Sequence, residues 1–245
     1  TGFKLQTFVD APAGSGLGTS STLVVAIIGA FAEMLKLPLG EYDIAHYAYQ
    51  IERKYLNLAG GRQDQYAATF GGVNYMEFYE QDKVIVNPLR IKSEYLSELE
   101  NNLVLFYTAS SRESATIIKE QQKNVELKKE GSIDAMHQLK EQSRMMKEAL
   151  LKGRLGEIGE ILDFGFQQKR KMAANISNHF IEEIYEAAKK AGASGGKISG
   201  AGGGGFMIFY CPGNTRYNVI ETLRQFGGEV KQYTFTKNGL SSWAV

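Results

Sequence analysis

The stretch Pro12-Ala-Gly-Ser-Gly-Leu-Gly-Thr-Ser-Ser-Thr22 has three glycines followed by a run of hydroxyl residues. The alternating residues 3–9 before it predict a strand, and the apolar residues 23–35 after it predict a buried helix. Glycine lets the backbone approach a ligand and adopt positive φ, and a helix start offers free N–H groups and the positive end of the helix dipole. We interpret the stretch as a phosphate-binding loop; the alternative is an ordinary capped turn before a core helix.

The spacing of the three glycines differs from that of two common nucleotide-binding loops. No lysine follows Gly18, as the sequence Gly-x-x-x-x-Gly-Lys-Ser/Thr requires. Gly14, Gly16 and Gly18 recur at every second position, whereas the dinucleotide loop has the spacing Gly-x-Gly-x-x-Gly. A dehydrogenase would also need an acidic residue after a second parallel strand, and none follows at the expected distance. The hypothesis of a nicotinamide-dependent enzyme therefore has little support.

The composition predicts a folded protein with one large domain or two modest domains, because 43% of the 245 residues are hydrophobic and 22% are charged. The 28 basic and 27 acidic residues give a net charge of +1, which indicates neither nucleic acid nor a membrane surface as a partner. The single cysteine, Cys211, excludes an internal disulfide bond and a cysteine-based zinc site. It is typical of a reducing compartment, so we expect a cytoplasmic protein.

A second helix is predicted over residues 41–56, with Ile44, Ala48, Ile51 and Tyr55 on its inward face. Glu52 lies on or beside this apolar face, where a carboxylate is costly to bury unless it is paired. The residues alone leave two interpretations open. Glu52 is either a structural residue, paired with Arg53 or Arg62 or lying with its side-chain stem at the edge of the face, or it is a metal ligand.

The rest of the chain alternates between strand and helix patterns, which predicts an α+β fold. The polar segment 92–102 indicates a boundary between two domains. The predicted strands are 72–79 and 83–88, which form a hairpin, and 103–107, 206–210 and 229–236. The predicted helices lie within 112–130, 132–153, 155–172, 178–191 and 215–226.

A second glycine cluster, 195–205, leads into an apolar strand, which a flexible linker would not normally do. Its sequence Ser199-Gly-Ala-Gly-Gly-Gly-Gly-Phe206, together with the earlier Pro12-x-x-x-Gly-Leu-Gly-Thr-Ser-Ser21, resembles two motifs of the GHMP small-molecule kinases. That family includes galactokinase, homoserine kinase and mevalonate kinase. It usually has serine at the position of Thr19, and threonine keeps the hydroxyl group. The two motifs occur here in the family's order.

This resemblance implies the two-domain GHMP kinase fold. Residues 1–92 would form the N-terminal ATP-binding domain, of the ribosomal protein S5 domain 2-like type. Residues 93–245 would form a ferredoxin-like C-terminal domain. The family has a strand-rich segment before the ATP loop, and this sequence starts after it. We therefore expect that part of the N-terminal domain to be missing.

The resemblance also implies that the chain binds ATP with Mg²⁺. The stretch Gly61-Arg-Gln-Asp64-Gln-Tyr is similar to the one that carries the family's catalytic aspartate, which makes Asp64 the base. Ser20 and Glu52 would together hold Mg²⁺. Glu52 lies 12 positions before Asp64, on the preceding helix. The residues implied in ATP binding are Pro12, Gly14, Ser15, Gly16, Leu17, Gly18, Thr19, Ser20, Ser21, Gly200, Ala201, Gly202 and Gly203.

Within the family, the sequence of the second glycine cluster is most similar to that of the D-glycero-D-manno-heptose 7-phosphate kinases and the related L-fucokinases. The first similarity implies transfer of the γ-phosphate of ATP to the anomeric hydroxyl of the heptose 7-phosphate, which gives the 1,7-bisphosphate used in nucleotide-activated heptose synthesis. An L-fucokinase, a galactokinase-like enzyme and a non-catalytic sugar or nucleotide sensor are the alternatives.

The expected partner is therefore a small-molecule sugar or sugar phosphate. Basic side chains are candidates for gripping a phosphate, because a guanidinium pairs with phosphate in a fork. The candidate substrate contacts are Arg62, Gln65, Tyr66, Arg112 and Lys197, and Lys169 and Arg170 are further candidates for the phosphate.

Overall fold

The computed structural model describes residues 2–110, 114–127, 129 and 131–244. No helix in these ranges has both the length and the apolar content needed to cross a membrane. The helices are α1 (Thr19–Met34), α2 (Glu41–Gln50), α3 (Gln63–Phe70), α4 (Ser93–Asn102), α5 (Ser114–Glu126), α6 (Ser132–Lys152), α7 (Ile158–Arg170), α8 (His179–Lys190) and α9 (Arg216–Arg224). The strands are β1 (Asn74–Phe78), β2 (Val84–Pro88), β3 (Leu103–Tyr107), β4 (Gly195–Ile198), β5 (Phe206–Tyr210) and β6 (Glu229–Lys231).

Four antiparallel strands form the larger sheet in the order β4-β5-β3-β6. Helices α5 to α8 connect β3 to the β4–β5 hairpin, and α9 connects the hairpin to β6, so the chain follows the β-α-β-β-α-β order of ferredoxin-like domains. Phe106 on β3 and Phe209 on β5 are fully buried in one core with Phe166 of α7 and Ile184 of α8. This arrangement confirms the predicted fold of the C-terminal half.

The first ninety residues build the other half from α1, α2, α3 and the β1–β2 hairpin. Val25, Ile44 and Ala48 join α1 to α2 in a buried cluster, and Tyr66 of α3 packs with Val86 of the hairpin in a second one. Helix α2 continues into a π-helical turn over Ile51–Tyr55. Such turns occur frequently at functional sites.

Two predictions for this half are wrong. Residues 3–9 pair with no strand in the described part of the chain, because a strand needs a neighbour for its N–H and C=O groups and an alternating pattern cannot supply one. Helix α1 is not buried all round. Helices α2 and α3 cover the face that contains Val25, whereas Met34 is 55% exposed and Leu35, directly after the helix, is 58% exposed.

A further apolar cluster crosses residue 92, where the sequence predicts a domain boundary. Leu150 of α6 and Ile158 of α7 pack there with Val73 and Ile91. The division into residues 1–92 and 93–245 stays a prediction, because this cluster draws side chains from both parts.

The close approach of α7 to β4 gives a test of this packing. A Cβ atom on Gly195 would lie 1.9 Å from the carbonyl oxygen of Gly159, so Gly195→Ala has to separate helix and strand. We expect the substitution to lower the free energy of unfolding by about 1–3 kcal/mol, measured by urea denaturation. Gly156→Ala is the matched control, because a Cβ there meets no atom within 4 Å. Equal losses in the two variants would contradict the described packing.

Candidate active site

The predicted phosphate loop has a backbone that glycine adopts with the least strain. Gly14, Gly16 and Gly18 have φ values of 71°, 78° and 72°. Gly18 directly precedes α1, and in the part of the chain described no side chain caps the first turn of this helix. The first-turn N–H groups and the positive end of the dipole of α1 are therefore available to an anion.

The second glycine loop, residues 199–205, packs directly on the first. Ser199 Oγ donates a hydrogen bond to the carbonyl of Gly16 at 2.9 Å, and Phe206 N–H donates to the carbonyl of Ser15 at 3.0 Å. A Cβ atom on Gly200 would lie 2.7 Å from Gly16 Cα, so a larger residue would push the two loops apart. The glycine at this position is therefore explained by the contact between the loops.

Gly202 and Gly203 of the second loop contact Ile176. Gly203 N–H donates to the carbonyl of Ile176 at 2.8 Å, and a Cβ atom on Gly202 would lie 2.6 Å from the same oxygen. The predicted contacts of Gly202 and Gly203 with ATP are therefore not supported, because these residues pack against Ile176. Gly200 is exposed and Ala201 is half-buried, and both remain candidates.

The carboxylate of Glu52 is buried beside the start of α1, with only 1% of the residue exposed. Ser20 Oγ donates to one of its oxygens at 2.9 Å, and Ser21 Oγ donates to the other at 2.6 Å. The amide of Gln65 also donates to this second oxygen. These three donors offset the lost hydration that makes a buried carboxylate costly. Both serine hydroxyls are thus engaged with Glu52 and do not cap the helix.

The surroundings of Glu52 bear on the two interpretations that the sequence leaves open. Arg53 Nη2 lies 4.0 Å from its carboxylate, which is the limit for an ion pair. Ser20 Oγ and Glu52 Oε1 are hard oxygen ligands of the type that Mg²⁺ prefers. The described residues contain no cluster of three His, Cys, Asp or Glu side chains, and Mg²⁺ is usually held by one or two carboxylates together with substrate phosphates. The residues present therefore fit an Mg²⁺ ion carried with a nucleotide.

Asp64 lies in the first turn of α3, with its carboxyl group against the last glycine of the phosphate loop. A Cβ atom on Gly18 would be 3.0 Å from Asp64 Cγ, so the two residues are in contact. Asp64 is exposed at one edge, but the surrounding protein removes part of its hydration, and this loss raises the pKa of its carboxyl group. The positive charge of Arg53 partly opposes this rise, and the negative charge of Glu52 adds to it. The structure thus brings Ser20, Glu52 and Asp64 together at the start of α1.

Two residues predicted to contact the sugar are buried in the protein instead. Gln65 is fully buried, and its amide donates to Ser21 Oγ at 3.0 Å as well as to Glu52. Tyr66 is 3% exposed, and its ring packs edge-on against Phe78. Both predictions are therefore corrected: Gln65 supports the Glu52 carboxylate, and Tyr66 belongs to the core.

The arginines predicted to grip a phosphate are engaged within the protein. Arg62 lies 2.8 Å from the carboxylate of Asp82, and Arg170 lies 2.8 Å from that of Glu182 while its guanidinium stacks over the ring of Phe166. The predicted substrate contact of Arg62 is therefore not supported. Arg112 lies outside the described residues.

The two candidate lysines lie at the second glycine loop. Lys169 is in the last turn of α7, and its Nζ donates to the carbonyl of Gly200. Lys197 is on β4, directly before this loop, and is half-buried. The sequence pattern does not indicate that the elements carrying these two side chains, α7 and β4, pack against each other.

The corrected role of Gln65 can be tested by stability alone. Gln65→Ala removes a donor from a buried carboxylate, so we expect the free energy of unfolding to fall by about 1–3 kcal/mol. Gln63→Ala, on the exposed side of the same helix turn, is the control and should be nearly neutral. Chemical denaturation of both variants measures the difference. A stable Gln65→Ala variant would remove the supporting role and return Gln65 to the list of substrate contacts.

Comparisons with known proteins agree with this site. Residues 1–72 match the GHMP kinases N terminal domain, and residues 146–229 match the family described as GHMP kinases C terminal. A D-glycero-alpha-D-manno-heptose 7-phosphate kinase of Campylobacter jejuni is 50% identical over 243 residues, which cover 99% of this chain and 71% of that protein. A bifunctional fucokinase/GDP-fucose pyrophosphorylase of Arabidopsis thaliana is 27% identical over 210 residues, which cover 85% of this chain and 20% of that protein.

Solved structures with a similar fold include a heptose phosphate kinase. A crystal structure of a D-glycero-D-manno-heptose 1-phosphate kinase from Bacteroides thetaiotaomicron matches with a TM-score of 0.77 and 42% identity. The match covers 96% of this chain and 66% of that one, so the chain spans about two thirds of the length of this relative. The chain belongs to the GHMP kinase family as a homologue of the heptose phosphate kinases, which confirms the predicted fold and class of enzyme.

Proposed function

We propose that the chain carries the active site of an ATP-dependent kinase that acts on D-glycero-D-manno-heptose 7-phosphate. The γ-phosphate of ATP is transferred to the anomeric hydroxyl, which gives the 1,7-bisphosphate. The observation that carries the proposal is the contact between Asp64 and Gly18, because it holds a carboxylate at the end of the phosphate loop. The 50% identity to the heptose 7-phosphate kinase of Campylobacter jejuni supports this choice of sugar.

The phosphate loop and the start of α1 bind the phosphates of ATP in this proposal. Three glycines shape the loop, and the first-turn N–H groups of α1 donate to phosphate oxygens. Ser20 and Glu52 would hold the Mg²⁺ ion that accompanies ATP, and the ion would supply positive charge to offset that of the phosphates. ATP, Mg²⁺ and a cytoplasmic location belong to the same proposal, and the one cysteine, which is free and buried, agrees with it.

Asp64 accepts the proton of the sugar hydroxyl, or orients that hydroxyl, as the hydroxyl oxygen attacks the γ-phosphorus. The bond between the γ-phosphorus and the oxygen that bridges it to the β-phosphate breaks, and ADP leaves with this oxygen. A general base works best when its pKa lies near the operating pH, and the partial loss of hydration moves the pKa of Asp64 in that direction. Arg53 keeps the carboxyl from being protonated too readily, because its positive charge lowers the same pKa.

Other functions remain as named alternatives. The more distant similarity to a fucokinase makes L-fucose the alternative acceptor. A galactokinase-like enzyme is the other alternative among sugar kinases. A non-catalytic sensor of the same fold would not need Ser20, Glu52 and Asp64 assembled in one place, so their contacts speak against it.

Asp64→Asn tests the proposed base without changing the fold. The variant keeps the shape of the side chain and loses the base, so we expect turnover to fall by about 10²–10⁴-fold while ATP still binds. Because the folded state raises the pKa of Asp64, ionised Asp64 destabilises the protein above its ordinary pKa. The variant should therefore be at least as stable as the wild type at neutral pH, and this difference should vanish in acid. Unchanged ATP consumption would remove Asp64 from the role of base.

The acceptor is identified by ATP consumption of the full-length protein with a panel of sugars. We expect heptose 7-phosphate to give a kcat/KM at least about tenfold above those of unphosphorylated heptose and L-fucose, which corresponds to one charge-assisted contact to its phosphate. Heptose 1-phosphate, whose anomeric position is blocked, should be inactive. Preference for the 1-phosphate would contradict transfer to the anomeric hydroxyl, and binding without consumption of ATP would favour the sensor.

A further inference from the structure

Lys169 and Lys197 lie on two elements that pack against each other next to the second glycine loop, helix α7 and strand β4. Side chains two residues apart on a strand point to the same face, so Lys197 projects from the same face of β4 as Gly195. A Cβ atom on Gly195 would approach Gly159 and Asp163 of α7, at 1.9 Å from a carbonyl oxygen and 3.1 Å from Asp163 Cβ. Lys197 therefore points toward α7, whose last turn carries Lys169.

The two ammonium groups lack a carboxylate to balance them. Lys169 donates to the carbonyl of Gly200, and among the described residues no Asp or Glu is paired with Lys169 or Lys197. Burial lowers the pKa of Lys169 to about 7, with the charge of Lys197 as the second cause. Burial also lowers the pKa of Lys197. Partial burial and mutual repulsion thus disfavour the charged forms of the two lysines, and a bound anion would favour these charged forms again.

The position of the pair connects it to the proposed reaction site. Gly200, which accepts from Lys169, lies against Gly16 of the phosphate loop. Two residues further along this loop, Gly18 is in contact with Asp64. Lys169 and Asp64 therefore contact the same pair of packed glycine loops, at Gly200 and at Gly18 respectively.

We propose that Lys169 and Lys197 form a subsite for the phosphate group that the sugar substrate already carries, and that they make the enzyme select phosphorylated sugars. This inference rests on the proposed function. A phosphate monoester has a second pKa near 6 and carries close to two negative charges at neutral pH, which matches two ammonium groups. The phosphates of ATP have the same chemistry. In the proposed function, however, they bind to the amides of α1 and to the Mg²⁺ ion at Ser20 and Glu52.

Direct binding to the full-length protein tests the subsite without relying on turnover. Isothermal titration calorimetry would measure heptose 7-phosphate, unphosphorylated heptose and a non-hydrolysable ATP analogue against Lys169→Met and Lys197→Met. We expect each variant to bind heptose 7-phosphate about 10–100-fold more weakly, the range for a hydrogen bond to a charged group. The affinities for unphosphorylated heptose and for the ATP analogue should change less than about twofold, since neither contacts the pair.

Lys171→Met is the matched control. Lys171 directly follows α7 and is exposed, and in the described part of the chain its ammonium group donates only to the side chain of Gln168. The control should bind all three ligands like the wild type. Lys169→Arg keeps the positive charge and should retain more affinity for heptose 7-phosphate than Lys169→Met. If thermal unfolding shows that Lys197→Met does not fold, the Lys169 variants alone decide the outcome.

Three results would overturn the inference. The first is unchanged affinity for heptose 7-phosphate in a folded Lys169→Met variant. The second is a loss of affinity for the ATP analogue instead, which would assign the lysines to the nucleotide. The third is failure of the wild type to bind any phosphorylated sugar. A wild type that binds heptose 7-phosphate through these lysines and consumes no ATP would contradict the proposed kinase reaction and leave the subsite intact.

Discussion

The carboxylate of Glu52 must be satisfied by hydrogen bonds, because it is buried where water cannot reach it. Its donors come from two helices: Ser20 and Ser21 open α1, and Gln65 belongs to α3. One buried charge therefore ties the helix that follows the phosphate loop to the helix that carries Asp64. The contact between Asp64 and Gly18 follows from this connection. The site depends on the interior of the protein as much as on its surface.

The charges around the two glycine loops are distributed unevenly. Glu52 and Asp64 place negative charge at the start of α1, where a hydroxyl proton and a cation would be held. Lys169 and Lys197 place positive charge behind the second loop. Both sets are partly removed from water, so each interaction is stronger than it would be at the surface. In the proposed complex, the reacting hydroxyl and the phosphate group of the sugar would therefore lie in environments of opposite charge.

The sequence predicts those parts of the site that depend on short-range pattern. The phosphate loop is recognisable because glycine is needed at Gly14, Gly16 and Gly18 for their positive φ, and strands β3 and β5 are recognisable because they are continuous apolar runs. The burial of Gln65 was not predictable, since it depends on Glu52 on another helix. The ion pair of Arg62 was not predictable either, because its partner Asp82 lies in the hairpin turn. An alternating pattern such as that of residues 3–9 does not show whether a neighbouring strand is present.

The hydrogen bond from Ser199 to Gly16 joins positions 183 residues apart, and Gly200 completes the contact. A ribosome makes the chain from its N-terminus, so the first loop is synthesised long before the segment that shapes it. A nascent chain that already displays the whole nucleotide motif therefore still lacks the partner that fixes its backbone. The order of translation thus leaves the first loop without its contacts to Ser199 and Gly200 until that later segment has emerged from the ribosome.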